Sequence, residues 1–310
     1  MEKKASRVAY GETLLELGKE NPDIVVLDAD LSGSTKTALF AKEFPDRFFN
    51  MGIAEQSMIT TAAGLATVGK IPFASSFAIF ATGRAWEMVR QAVCLGNKNV
   101  KIVATHAGLT VGEDGATHQA LEDMALTRVL PHLTVIVPAD YFETKAAIRF
   151  AADYIGPVYV RLPRSATPVI FDESVEFQHG KARILRKGMD ISIFACGVMV
   201  AEALNAAELL KNVGINAEII NISTLKPLDT ETIVQSVSKT GNALTVEEHN
   251  IIGGLGSAVA ETLSENHPAP LRRMGVIEKF GRSGKAGDLL KAYGLTAEDI
   301  AKETVSFLKP

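Results

Sequence analysis

Glu55 stands within Asn50-Met51-Gly52-Ile53-Ala54-Glu55-Gln56-Ser57-Met58, an acid at the head of an otherwise apolar, small-residue helix pattern. A carboxylate carried into a packed interior without a partner is costly. An acid at that point either makes a structural hydrogen bond or exchanges protons. Downstream, Ser75-Ser76-Phe77-Ala78-Ile79-Phe80 brings flat apolar surface. Acid plus aromatic shelf is what a planar heterocycle needs when one of its ring nitrogens must be protonated. Taken singly, Phe77 and Phe80 read as core aromatics, and the functional reading rests on their combination with Glu55.

A second cluster is His106-Ala107-Gly108-Leu109-Thr110-Val111-Gly112-Glu113-Asp114-Gly115-Ala116-Thr117-His118-Gln119. Its glycines let the backbone turn sharply and approach a ligand, and Thr117 is placed to cap a helix beginning near His118. The plain alternative is a solvated loop with ordinary caps. A metal site from His106, Asp114 and His118 lacks a standard ligand spacing. Gly253-Gly254-Leu255-Gly256 partly resembles a phosphate-binding loop but lacks G-x-G-x-x-G, so close helix–strand packing explains it better. His249 follows a strand pattern and reads equally as a site residue or a satisfied structural histidine. Cys94 and Cys196, the two cysteines, each lie in apolar sequence and read as small core residues.

The elements that must position these groups follow a simple alternation. Strand patterns at 24–27, 71–74, 100–105, 133–137 and 157–161 are interleaved with helix patterns at 54–68, 81–95 and 141–153, the last capped by Asp140. Residues 162–188 show no sustained period. The alternation then resumes with strands at 191–195, 217–222, 243–246 and 271–275 and helices at 199–212, 230–238, 256–265, 286–292 and 297–308. The pattern predicts an α/β chain of two doubly wound domains, 1–165 and 189–310, joined by a linker at 166–188. A length of 310 residues with 47% hydrophobic and 22% charged residues suits two such cores. A net charge of -4 with no basic run gives no footprint for nucleic acid. Without a signal-like start or a membrane-length apolar run, a cytoplasmic protein is expected. In open α/β sheets ligands gather at the carboxyl ends of strands, and Asp28, Asp30, His106, Arg161 and Arg164 all fall there.

Met51-Gly52-Ile53-Ala54-Glu55-Gln56-Ser57-Met58, Phe77-Ala78-Ile79-Phe80 and Gly112-Glu113-Asp114-Gly115-Ala116-Thr117-His118-Gln119 together resemble transketolase. The resemblance is to its pyrimidine-binding domain followed by its C-terminal domain, and it covers essentially the whole chain. It implies thiamine diphosphate held between subunits or domains, one side binding diphosphate and Mg²⁺ and the other the aminopyrimidine. The family's Gly-Asp-Gly diphosphate signature does not occur in this sequence. The chain therefore resembles the C-terminal subunit of a split transketolase, silent without an N-terminal partner chain that holds the diphosphate and Mg²⁺. A two-fold assembly of two copies of each half, a heterotetramer, is expected.

Carried over on the motifs, the resemblance implies that Glu55 hydrogen-bonds the pyrimidine nitrogen and that Phe77 and Phe80 stack on the ring. The family's third aromatic is replaced by Gly83, and the histidine after its glutamate by Gln56. His118 would meet the donor's terminal hydroxyl and carbonyl region, and Asp114 would read a further hydroxyl. His106, Ser34 and Arg164 would take the phosphate end. Arg164 is preferred to Arg161, and Lys3 aligns with another family arginine. Asp30 would sit near the thiazolium. The C-terminal domain shows no obvious chemistry and is expected to support assembly. The implied reaction is two-carbon ketol transfer between sugar phosphates, as from xylulose 5-phosphate to ribose 5-phosphate. A 1-deoxyxylulose-5-phosphate synthase-like chain would lack His106, and a 2-oxo acid dehydrogenase β-like subunit would lack the Gly112–Gln119 motif. A non-catalytic partner subunit would have no use for the intact Glu55, Asp114 and His118.

Overall fold

The structure, a computed structural model, describes residues 2–308. A seven-stranded sheet carries Thr224–Lys226, Thr134–Ile136, Val158–Arg161, Lys101–Thr105, Ile71–Phe77, Ile24–Asp28 and Phe48–Asn50 side by side in that order. All neighbours are parallel except Thr224–Lys226, which runs antiparallel to Thr134–Ile136. Ile24–Asp28, Lys101–Thr105 and Val158–Arg161 are buried at every position, and Ile71–Phe77 at all but its first. That is why they run apolar instead of alternating.

Helices Ser6–Glu20 and Tyr141–Asp153 cover one face, where Tyr10, Leu14 and Ile148 pack on Val26, Phe73 and Val103. The Asp140 side chain caps the second of these helices by accepting from Glu143 N–H at 2.9 Å. On the other face, Met58 and Ala62 of helix Glu55–Thr67 share a core with Phe194, Ile220 and Leu255 of the second half.

The second sheet orders Leu271–Val276, Ala243–Asn250, Ile191–Ala195, Ala217–Asn221 and Arg183–Arg186, with only the last antiparallel. Two α/β layers thus form, as the alternation predicts. Three details differ from expectation. The unpatterned stretch after residue 162 supplies the edge strand Arg183–Arg186 and a two-residue strand, Thr167–Pro168, paired with Lys3–Lys4. Strands this short have no period to read. Residues 81–95 form wide π-turns at Phe80–Arg84 and Val89–Cys94 around Trp86–Met88, not one regular helix. No helix starts near His118. The chain turns once through Gly115, bridges Ala107 to Ala120, and begins a helix at Asp123.

Candidate active site

The strand order places the singled-out residues in neighbouring positions. Arg164, His106, Phe77 and Asp30 lie at or just past the carboxyl ends of Val158–Arg161, Lys101–Thr105, Ile71–Phe77 and Ile24–Asp28, which adjoin in that order. Connections diverge on either side of Ile24–Asp28 and Ile71–Phe77, which makes this the crevice where a doubly wound sheet binds its ligand. Glu55 opens the helix that follows Phe48–Asn50.

Four rings build the floor. Phe77 and Phe80 lie nearly parallel, 6.0 Å between centroids, and the His106 imidazole stacks on Phe77 at 3.8 Å. His118 stands edge-on to Phe80 at 5.4 Å and to Phe77 at 6.1 Å. Glu55 is 1% exposed, and its Oε2 accepts from Arg84 Nη1 at 2.9 Å. The same guanidinium lies 5.0 Å over Phe80. A cation thus stands over Phe80, carried one residue on from the ring-less Gly83. Parallel aromatic faces linked to a buried acid are the donor set an aminopyrimidine requires, so the residues present fit that half of thiamine diphosphate.

Cations gather at the far end. Arg7 Nη1 donates to the Ser34 carbonyl at 2.9 Å, while its buried Nε has no partner. Burial and the nearby Arg164 hold the Arg7 pKa below its ordinary value. His106 is pushed down to about 3, first by burial and then by Arg7, Arg164 and His118, so its ring is neutral at pH 7. Its Nδ1 lies 2.9 Å from Thr105 Oγ1. Arg164 Nη1 donates to the Val111 carbonyl at 2.9 Å and to Glu113 at 2.8 Å. Arg7 thus joins the set expected from Ser34, His106 and Arg164. Lys3 does not: it lies in the short strand paired with Pro168. The sequence signal that could have found Arg7 is its place at the start of a helix whose partner loop holds Ser34.

Asp28 shapes that loop. Its carboxylate accepts from Leu31 N–H at 2.6 Å, Thr35 at 2.7 Å and Thr37 at 2.9 Å. The turn leaves Asp30 at the rim, its Oδ1 accepting from Asn50 at 2.9 Å. Asp30 and His106 both adopt left-handed backbone, with φ of 64° and 57°. Such strain in non-glycine residues concentrates at functional sites. Asp114 is exposed on the Gly112–Gly115 turn. Among the described residues, no three His, Cys, Asp or Glu side chains are placed to hold a metal ion.

The remaining polar motifs are structural. Arg161 is buried, with Nε on Asp123 at 2.8 Å and Nη2 on the Glu248 carbonyl at 3.2 Å. His249 is fully buried, its Nδ1 2.6 Å from the Asn250 carbonyl. At the glycine loop, the Glu247 carboxylate accepts from Leu255 and Gly256 N–H at 2.7 and 2.8 Å. The acceptor at that helix start is the protein's own.

Comparison with known proteins identifies the family. The family model of the transketolase pyrimidine binding domain matches residues 2–169, and that of the transketolase C-terminal domain matches 180–300. A protein of Methanocaldococcus jannaschii named for a transketolase C-terminal section is 57% identical over 309 residues, spanning 99% of this chain and 97% of its own. A 6-deoxy-6-sulfo-D-fructose transketolase subunit of Clostridium sp. is 44% identical over 296 residues, spanning 96% of this chain and 92% of its own. A solved split gene transketolase, described as an inactive beta4 tetramer, superposes with a TM-score of 0.92 at 54% identity and covers 98% of both chains. The chain belongs to the transketolase family, carries its pyrimidine-binding and C-terminal domains, and corresponds over nearly its whole length to one part of a split transketolase.

Proposed function

We propose that this chain is the C-terminal subunit of a thiamine-diphosphate-dependent transketolase, moving a two-carbon ketol unit from a ketose phosphate such as xylulose 5-phosphate to an aldose phosphate such as ribose 5-phosphate. The observation that carries the reading is one continuous row of side chains. It runs from buried Glu55 across the Phe80, Phe77 and His106 rings to the cations Arg7 and Arg164. Thiamine diphosphate, when bound, supplies the electron sink that carries the two-carbon unit. Phe77 and Phe80 seat its pyrimidine, and Glu55 presents a carboxylate oxygen to the ring nitrogen, with which it shares a proton. His118 and Asp114 meet the donor's hydroxyls, and Asp30 stands on the thiazolium side of the cofactor. Ser34, neutral His106 and the two arginines take the sugar's anionic tail, a fork geometry suited to a tetrahedral oxyanion.

The diphosphate and Mg²⁺ fall to an N-terminal partner chain carrying Gly-Asp-Gly, in an assembly with two-fold symmetry and two copies of each half. Self-association without that partner gives an inactive species in this reading, in line with the solved beta4 tetramer. A sulfonate tail is the second reading for the donor, favoured by the relative named for 6-deoxy-6-sulfo-D-fructose. The test is reconstitution. Partner captured on this chain is mixed with it, thiamine diphosphate and Mg²⁺, and two-carbon transfer is followed with phosphorylated and sulfonated ketoses. Turnover with the phosphorylated donor is expected. A stable, folded complex that turns over neither donor would sink the enzyme reading.

A further inference from the structure

The loop that presents Asp114 and His118 belongs to the first domain but is held by the second. At its entrance, Thr110 donates its N–H and hydroxyl to the Glu248 carboxylate at 3.0 and 3.2 Å. At its exit, Gln119 Nε2 donates both to the Leu109 carbonyl, within the loop, and to the Arg282 carbonyl of the second domain, each at 3.1 Å. Gln119 is 3% exposed, so these bonds form away from water, where a missing partner costs most. Between the two ends the contact is too close for side chains. A Cβ on Gly115 would lie 2.4 Å from Ser283 Oγ, and one on Gly281 would lie 1.8 Å from Gln119 Oε1. Leu109 packs into the second domain's core beside Leu289.

From this we infer that the C-terminal domain is a positioning element of the donor-sugar site: Gln119, clamped by the segment around Gly281 and Ser283, fixes where Asp114 and His118 stand. The inference rests on the transketolase reading for what the loop binds, though not for how the loop is held. A clamp of this kind acts first on sugar geometry, because Glu55, Phe77 and Phe80 lie on other elements and the loop meets that platform only through the ring of His118. Displacement of reacting groups by about 1 Å can cost on the order of 100-fold in rate.

Two substitutions approach the clamp from opposite sides. Gln119→Met keeps the length and removes both donated bonds. Gly281→Ala changes only the second domain and drives a methyl into the Gln119 amide. Hydrogen exchange on the full chain is expected to quicken across 112–119 by about tenfold or more in both variants, with the strand Lys101–Thr105 as protected as before. In the reconstituted complex, donor kcat/KM is expected to fall about 10- to 100-fold, with thiamine diphosphate affinity unchanged. Unaltered exchange across 112–119 in both variants overturns the clamp. Faster exchange spread over the whole chain also overturns it, since that marks general loosening. Faster loop exchange with wild-type donor kinetics overturns the link to the sugar. A wild-type complex without ketol transfer defeats the transferase reading instead, and the exchange result still decides whether the second domain holds the loop.

Discussion

The carboxyl edges of the two sheets start from the same architecture and end in opposite states. At the first, parallel strands deliver Asp30, Phe77, His106 and Arg164 to one crevice, where the rings stack on each other and the only ion pair of Arg164 among the described residues is with exposed Glu113. At the second, the equivalent crevice is filled by protein. Glu247 takes the helix start after the glycine loop, Glu248 takes Thr110, and Asn221 Nδ2 donates to Glu143 Oε1 of the first domain at 2.8 Å. Gly197 is pressed against Val137, a Cβ there reaching 3.1 Å from its Cγ1. The comparison teaches that a doubly wound sheet offers a site only where nothing else claims its edge. Here the edge of the second domain grips the loop of the first.

The open edge gives the largest expected effect. Glu55→Gln removes the shared proton while preserving shape, and turnover of the reconstituted complex should fall by about 10³- to 10⁴-fold. The thermal unfolding midpoint should stay close to wild type. Normal activity in that variant would remove Glu55 from cofactor activation. At the closed edge the corresponding break is Gly108→Ala. Gly108 has φ of 78°, and a Cβ there would lie 2.2 Å from Glu248 Cδ. Both strain and clash act together, so a loss of about 2–4 kcal/mol is expected in denaturant unfolding. A change within the error of such titrations would show that the Thr110–Glu248 contact carries no weight.

Much of this division could be read in the sequence, and the parts that could not share a cause. Glu55, the phenylalanines and the Gly112–Gln119 motif are contiguous runs, so residue type and order expose them. The long buried strands announce themselves by apolar composition. Arg7 was hidden because its significance lies in a contact with Ser34 across 27 residues. Lys3, similar in charge and nearby in sequence, was drawn instead into a strand pair with Pro168. The role of Gln119 was hidden likewise, since its partner Arg282 lies 163 residues away. The expectation of a helix at His118 failed because the backbone there is committed to an Ala107–Ala120 bridge and to a turn at Gly115, which local propensity does not register.

Arg7 sharpens the account of the open edge. Arg7→Met keeps the chain's packing stem and removes the charge beside Ser34. The KM for a phosphorylated ketose should rise about 10- to 100-fold, the worth of a charge-assisted pair. An unphosphorylated ketose should be affected far less. Equal losses for both donors, measured by initial rates, would move Arg7 from the anion end to a structural role.

The smallest expected effect belongs to the closed edge and appears only against pH. Burial raises the Glu143 carboxyl from its ordinary 4.5 to about 7, opposed by hydrogen bonds from Ala139 N–H and Asn221. A carboxyl raised in the folded chain keeps its proton over a range where the unfolded chain has lost it. Its stabilising contribution is therefore complete below about pH 4.5 and drains away as pH rises through about 7. Glu143→Gln stays neutral throughout. With Asn221 turned over, its amide can donate to Asn221 Oδ1, which is buried without a partner. The wild-type unfolding midpoint, taken relative to the variant, should then fall by about 2–6 °C between those two pH values. Glu247, also raised to about 7 by burial, is present in both proteins and cancels in the difference. A difference that stays flat with pH would mean that the ionised form is as well held at this edge as the neutral one. The second crevice would then be closed by polar bonding of an ordinary kind, with no proton stored in it.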